Sequence, residues 1–140
     1  MSDLPSVCSP WDGSSILDAP VSNQLDFDLH FFRRLVARAP DYVDALWVLS
    51  DLLSRRGYFD QALEVDRRLV RLRPRDPVAH YNLACSLALV GQTRQALVHL
   101  RQALELGFDD AAQLIDDRDL DPLRQLPEFW TLLDRFGVTC

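Results

Sequence analysis

The sequence predicts an all-α fold, a short α-solenoid of antiparallel helix pairs, and three observations carry that prediction. From residue 26 onward, apolar residues recur at the helical period and not with the alternation of a half-buried strand. Matching residues recur 34 positions apart: Leu49 and Leu83, Leu53 and Leu87, Gly57 and Gly91, Ala62-Leu63 and Ala96-Leu97. Pro40 and Pro74 keep the same offset, with Phe108 at the next step. Glycines and prolines punctuate the chain where such helices should end.

The elements follow in order. Residues 1–24 hold Pro5, Pro10, Pro20 and Gly13 among many Ser and Asp, with no sustained period, and read as a flexible tail. Asp26–Ala39 places Phe27, Phe31, Leu35 and Val36 at helical spacing, with Arg33, Arg34 and Arg38 on the other side, and Pro40 stops it. Two repeats are expected at 41–74 and 75–108, each of two helices. Asp41 is the expected cap of the first, and Asp76-Pro77 opens the second as an N-cap and N1 pair. Gly57 and Gly91 stand where a left-handed residue ends a helix. The second helices should run from about Asp60 to Leu72 and from Thr93 to Leu106. Short gaps make consecutive helices antiparallel. Residues 109–137 read as closing helices, the last begun by Pro127 and followed by Gly137, so that one helical domain covers 25–140.

Composition excludes several functions. A chain of 140 residues, 48% hydrophobic and 26% charged, suits one soluble domain. The net charge of -6 and the pI near 4.9 argue against nucleic acid as partner, since phosphate recognition needs a basic field. All 15 basic residues are arginine, and this lysine-free, alanine-rich usage points to a GC-rich coding genome and hence a bacterium. Cys8, Cys85 and Cys140 form no CxxC or Cys/His cluster, so neither a zinc site nor a disulfide framework is expected, and Cys85 reads as a small buried thiol. Cys8 follows neither a basic start nor an apolar run, and no stretch approaches a membrane span, so a cytoplasmic location is expected.

The repeats resemble those of the tetratricopeptide repeat (TPR) family. The carrying residues are Leu46, Leu49, Leu53, Gly57, Phe59, Ala62, Leu69 and Pro74 in the first. In the second they are Tyr81-Asn82-Leu83-Ala84, Leu87, Gly91, Ala96-Leu97, Leu100 and Ala103. The first repeat departs at Leu69, where the second has Ala103, and the second departs at His80, where the first has Leu46. Asp28–Pro40 looks like the second helix of a preceding repeat whose first helix is missing. Asp110–Asp117 looks like the first helix of a following one, and the segment from Asp119 to Leu133 resembles a closing segment of bacterial arrays.

Motifs for chemistry are weak. Asp117, Asp119, Asp121 and Glu128 mimic calcium-loop spacing, but Pro122 stands where a glycine is needed, so these aspartates read as caps. His30, His80 and His99 lack metal-ligand spacing; His80 reads as a hydrogen-bonded core residue and His99 as a residue of the convex surface. No nucleophile elbow or phosphate loop occurs, so no enzyme, metal or cofactor is expected. Arg67, Arg68, Arg71, Arg73 and Arg75 cluster at a helix end, where cations suit the dipole.

The TPR resemblance implies a protein-interaction scaffold whose first helices line a concave groove for a peptide or helix of a partner protein. Carried over by position, that groove takes Asp44, Trp47, Val48, Asp51 and Arg55 from the first repeat. The second supplies Val78, Tyr81, Asn82, Cys85 and Leu89, and the partial third Ile115, Asp116 and Asp119. Asn82 matches the family asparagine that holds a bound peptide backbone, and Trp47 and Tyr81 are the expected aromatic anchors. An acidic lining with no lysine implies a basic or neutral segment as ligand, with neither nucleic acid nor membrane as partner. The alternative is a structural subunit or dedicated chaperone, acting as a homodimer or as an enzyme accessory subunit.

Overall fold

The computed structural model describes residues 23–138. The expected tail over 1–24 therefore lies almost wholly outside the described residues. Among these residues all regular structure is helical: α1 (Gln24–Arg38), α2 (Val43–Arg55), α3 (Phe59–Leu72), α4 (Pro77–Leu89) and α5 (Thr93–Glu105). A short α6 (Ala111–Asp116), a 3-10 turn (Arg118–Leu120), α7 (Asp121–Arg124) and α8 (Pro127–Arg135) follow. The chain divides between Tyr58 and Phe59 into two compact units. That division falls within the first expected repeat, where the sequence suggests one continuous domain.

In the first unit α1 packs against α2. Asn23 caps α1 by accepting the Asp26 amide at 2.9 Å. Asp26 in turn pairs with Arg56 at 2.7 Å, joining the first turn of α1 to the end of α2. The buried stripe of α1 is Leu29, Arg33 and Val36, which corrects the expected orientation. Phe27 and Phe31 point outward, 48% and 52% exposed, while Arg33 is buried with its guanidinium 5.3 Å from the centre of the Tyr58 ring. An arginine can occupy an inner stripe when its stem packs and an aromatic face receives its charge. Burial lowers the pKa of Arg33, partly offset by Tyr58.

The N-cap of α2 is Tyr42, without a side-chain cap, and not Asp41. The Tyr42 amide donates to the Ala39 carbonyl at 3.1 Å, which closes a turn through Pro40 and holds Asp41 one residue too early to cap. At α4 the expectation holds: Asp76 accepts the Val78 amide at 2.9 Å and Pro77 opens the helix.

The repeat is visible in the backbone hydrogen bonds. Tyr58 N donates to Leu53 O and Gln92 N to Leu87 O, both at 2.9 Å. Gly57 N donates to Ser54 O at 3.0 Å and Gly91 N to Ala88 O at 3.1 Å. These are Schellman closures, which need a left-handed residue, and Gly57 and Gly91 supply φ of 84° and 87°.

In the second unit α4 packs against both α3 and α5, and the short link at residues 90–92 folds α5 back on α4. Ala79, Leu83, Ala84, Leu87 and Ala88 of α4 are all buried. Ala62, Ala96 and Ala103 are fully covered, which lets neighbouring helices approach closely. The core then continues through Leu100, Leu114, Leu120, Leu123, Phe129 and Leu133, so the short C-terminal elements complete it. Each such leucine contributes about 1.5–3 kcal/mol by leaving water. The second helices begin and end within a residue of their expected bounds.

Candidate functional site

The residues assigned from the first repeat share one face of α2. Asp44, Trp47, Val48, Asp51 and Arg55 follow at spacings of three and four, so their side chains lie along a single stripe. This stripe stands clear of the buried one formed by Ala45, Leu46, Leu49, Leu52 and Leu53. Asp44 is exposed, Trp47 half-buried and Val48 39% exposed. Asp51 and Arg55 pair at 2.6 Å with both side chains mostly in water, so this pair contributes little to stability and its partners stay within reach of a ligand. The face therefore combines an apolar centre with carboxylates, as the sequence suggests.

The residues assigned from α4 separate into two groups. Val78 is 44% exposed, and Asn82 and Leu89 are half-buried. Tyr81 and Cys85 are withdrawn into the core, at 1% and 7% exposure, which corrects the expectation of a surface anchor at Tyr81. Phe108 takes the face of the Tyr81 ring in a parallel stack with centroids 4.3 Å apart. The Tyr81 hydroxyl donates to Asp117 Oδ2 at 2.6 Å. Of the partial third repeat, Asp116 is exposed, while Ile115 and Asp119 are half-buried.

Asp117 organises the segment that covers Tyr81 and Cys85 of α4. Its Oδ2 accepts from Tyr81 and, at 3.8 Å, from the Cys85 thiol, and its Oδ1 accepts the Asp119 amide at 3.0 Å. The last contact makes Asp117 the cap of the 3-10 turn. Arg124 holds the same segment from the other side. It donates to the carbonyls of Leu114 at 3.1 Å, Ile115, and Asp117 at 2.7 Å, and pairs with Asp121 at 2.6 Å. The carbonyls left open at the end of α6 are thus satisfied by a guanidinium, which also matches the dipole there.

Cys85, Asp117 and Asp119 bring a sulfur and carboxylate oxygens within 4.8 Å of one another. Burial first, then the Asp117 and Asp119 charges, push the Cys85 thiol well above its ordinary range. Burial and the adjacent Asp117 and Asp121 raise Asp119 as well. Both Asp117 oxygens are engaged inside the fold, by the Tyr81 hydroxyl, the Cys85 thiol and the Asp119 amide. The cluster acts as a capping knot.

His80, beside Tyr81 in the sequence of α4, forms a histidine pair with His99 of α5. His80 Nε2 lies 2.8 Å from the Pro74 carbonyl and its Nδ1 lies 3.2 Å from His99 Nδ1. A carbonyl only accepts, so His80 Nε2 carries a proton; in the neutral pair His80 Nδ1 accepts and His99 Nδ1 donates. His99, expected on the outer surface, is half-buried through this contact. Burial, His80 and Arg67, in that order, lower its pKa.

Phe108 and Arg124 were the residues that sequence reasoning missed. Phe108 had a signal, its 34-residue step from Pro74, but that step does not reveal a stacking partner. Arg124 had none, because its carbonyl partners come together only in the folded chain.

No family model matches this sequence. A curated relative, a chloroplastic protein of Arabidopsis thaliana, is 33% identical over 86 residues, which is 59% of this chain. The match covers 26% of that protein, so the similarity extends over about a quarter of its length.

Proposed function

We propose that this chain is a tetratricopeptide-like interaction scaffold, and that the outward face of α2 binds a basic or neutral amphipathic segment of a partner protein. The observation that carries the reading is the composition of that face. Trp47 and Val48 give it an apolar centre, framed by the exposed carboxylates of Asp44 and Asp51. The 34-residue repetition of the helix closures at Gly57 and Gly91 supports the repeat assignment. On α4, Val78 and Asn82 offer a second stretch of first-helix surface, with an amide able to donate to and accept from a peptide backbone. The thiol and the histidine pair are engaged in contacts inside the fold, which favours a scaffold over a catalyst.

Titration calorimetry with basic and acidic amphipathic peptides tests this. Basic peptides should bind, and more weakly as salt rises. Trp47→Ala should weaken binding by about tenfold or more, as for a central aromatic anchor, and Asp51→Arg should weaken it less. Equal binding of acidic peptides, with both variants unaffected, would move the site to the arginine-rich end of α3, at Arg67, Arg68 and Arg71.

A further inference from the structure

Helix α1 carries two apolar stripes on opposite sides. Leu29 and Val36 form the buried one, in the pair with α2. Phe27, Phe31 and Leu35, at spacings of four, form the other, with Arg34 and Arg38 beside them. A helix apolar on two sides belongs between two neighbours. Helix α4, packed between α3 and α5, shows this arrangement within the same chain. On α1, Phe27 and Phe31 are instead about half exposed, and Arg34 and Arg38 make no ion pair among the described residues.

We infer that the N-terminal segment of residues 11–19 is the second neighbour of α1 and docks along Phe27, Phe31 and Leu35. Three observations select this occupant. The segment carries Trp11, Ile16 and Leu17, apolar groups able to cover two phenylalanines. Residues 1–22 contain Asp3, Asp12 and Asp18 and no arginine, lysine or histidine, which complements Arg34 and Arg38. Only three residues, 21–23, separate Pro20 from the first residue of α1, the same number that joins α4 to α5. So short a tether gives the segment a high effective concentration at α1, which an outside partner must exceed. The inference is independent of the proposed α2 face, since it concerns a different helix and a segment that precedes it.

Hydrogen exchange with mass spectrometry on the full chain tests it, alongside the variants Phe31→Asp and Trp11→Ala. In the unaltered chain, amides of residues 11–19 should exchange at least tenfold slower than an unprotected chain. Each variant should restore free exchange there while α4 and α5 remain protected, and Phe31→Asp should keep the helical circular dichroism because residue 31 lies outside the core. Double reversal of charge at Asp12 and Asp18 to Arg should have the same effect. Free exchange of 11–19 in the unaltered chain would overturn the inference. Protection that disappears on dilution, with a dimer in gel filtration, would also overturn it and assign the phenylalanine stripe to a second copy.

Discussion

The Tyr81 hydroxyl meets Asp117 Oδ2 at 2.6 Å, across 36 residues of sequence, and so fixes the 3-10 turn to the middle of α4. The ring of the same residue is fully covered by its surroundings. Tyr81→Phe should leave the stacking on Phe108 in place and leave Asp117 Oδ2 with only the weak thiol contact of Cys85 at 3.8 Å. The expected loss is about 1–3 kcal/mol, that of a hydrogen bond to a charged, half-buried acceptor. A shift of the urea midpoint without change in slope would report it; no shift would show that water replaces the hydroxyl at no cost.

Arg124 supports that turn from behind. Its guanidinium serves three carbonyls and one carboxylate, and lies 5.8 Å from the centre of the Phe129 ring. Arg124→Met should cost about 1.5–3 kcal/mol. Arg124→Lys should recover only part of this, because an ammonium lacks the planar fork. Hydrogen exchange should locate the loosening at residues 111–124, and full recovery by lysine would reduce the role of Arg124 to its charge.

Gly91 tests the origin of the repeated closures. It has φ of 87°, and a Cβ there would meet no atom within 4 Å. The cost of Gly91→Ala is then purely conformational, about 1–2 kcal/mol. Gly91→Asn should cost less, since asparagine tolerates the left-handed region. Thermal melts of the two variants compare them directly; equal losses would mean that side-chain contacts, not backbone conformation, decide this position.

His99 gives a pH dependence whose sign follows from its lowered pKa. The folded pKa of His99 lies below its ordinary 6.5, so the unfolded chain binds more protons in that interval. The contribution of His99 is therefore complete above about pH 6.5 and is lost as pH falls through that value toward the folded pKa. Urea unfolding between about pH 8 and pH 5 should show stability declining, with a slope from this residue of no more than one proton. His99→Gln should flatten the decline; an unchanged profile would assign it to other groups.

Much of this architecture was legible before folding was considered. The helices appear within a residue or two of their expected bounds because caps, prolines and closing glycines act over a few positions only. Gly57 and Gly91 are the clearest case, since no other residue enters their backbone conformation so cheaply. Asp41 is the exception, because the turn through Pro40 decided that Tyr42 would begin α2. Asp44, Trp47, Val48 and Asp51 were assigned by the repeat resemblance, and in the fold they line a stripe of α2 that is exposed to half-buried.

Local patterns could not assign the second partner of each side chain. In α1 the periodicity admits two apolar stripes, and only packing against α2 selected Leu29, Arg33 and Val36 over Phe27 and Phe31. Helix α4 is apolar nearly all round, so its sequence does not say whether Tyr81 or Val78 faces water; Phe108 and Asp117 decide it. His99 joins His80 because α5 folds back on α4. The sequence alone determined where helices begin, end and repeat, since those choices depend on neighbours along the chain. The tertiary structure decided which faces are buried and which polar groups meet, because burial depends on elements that are distant in sequence and adjacent only after folding.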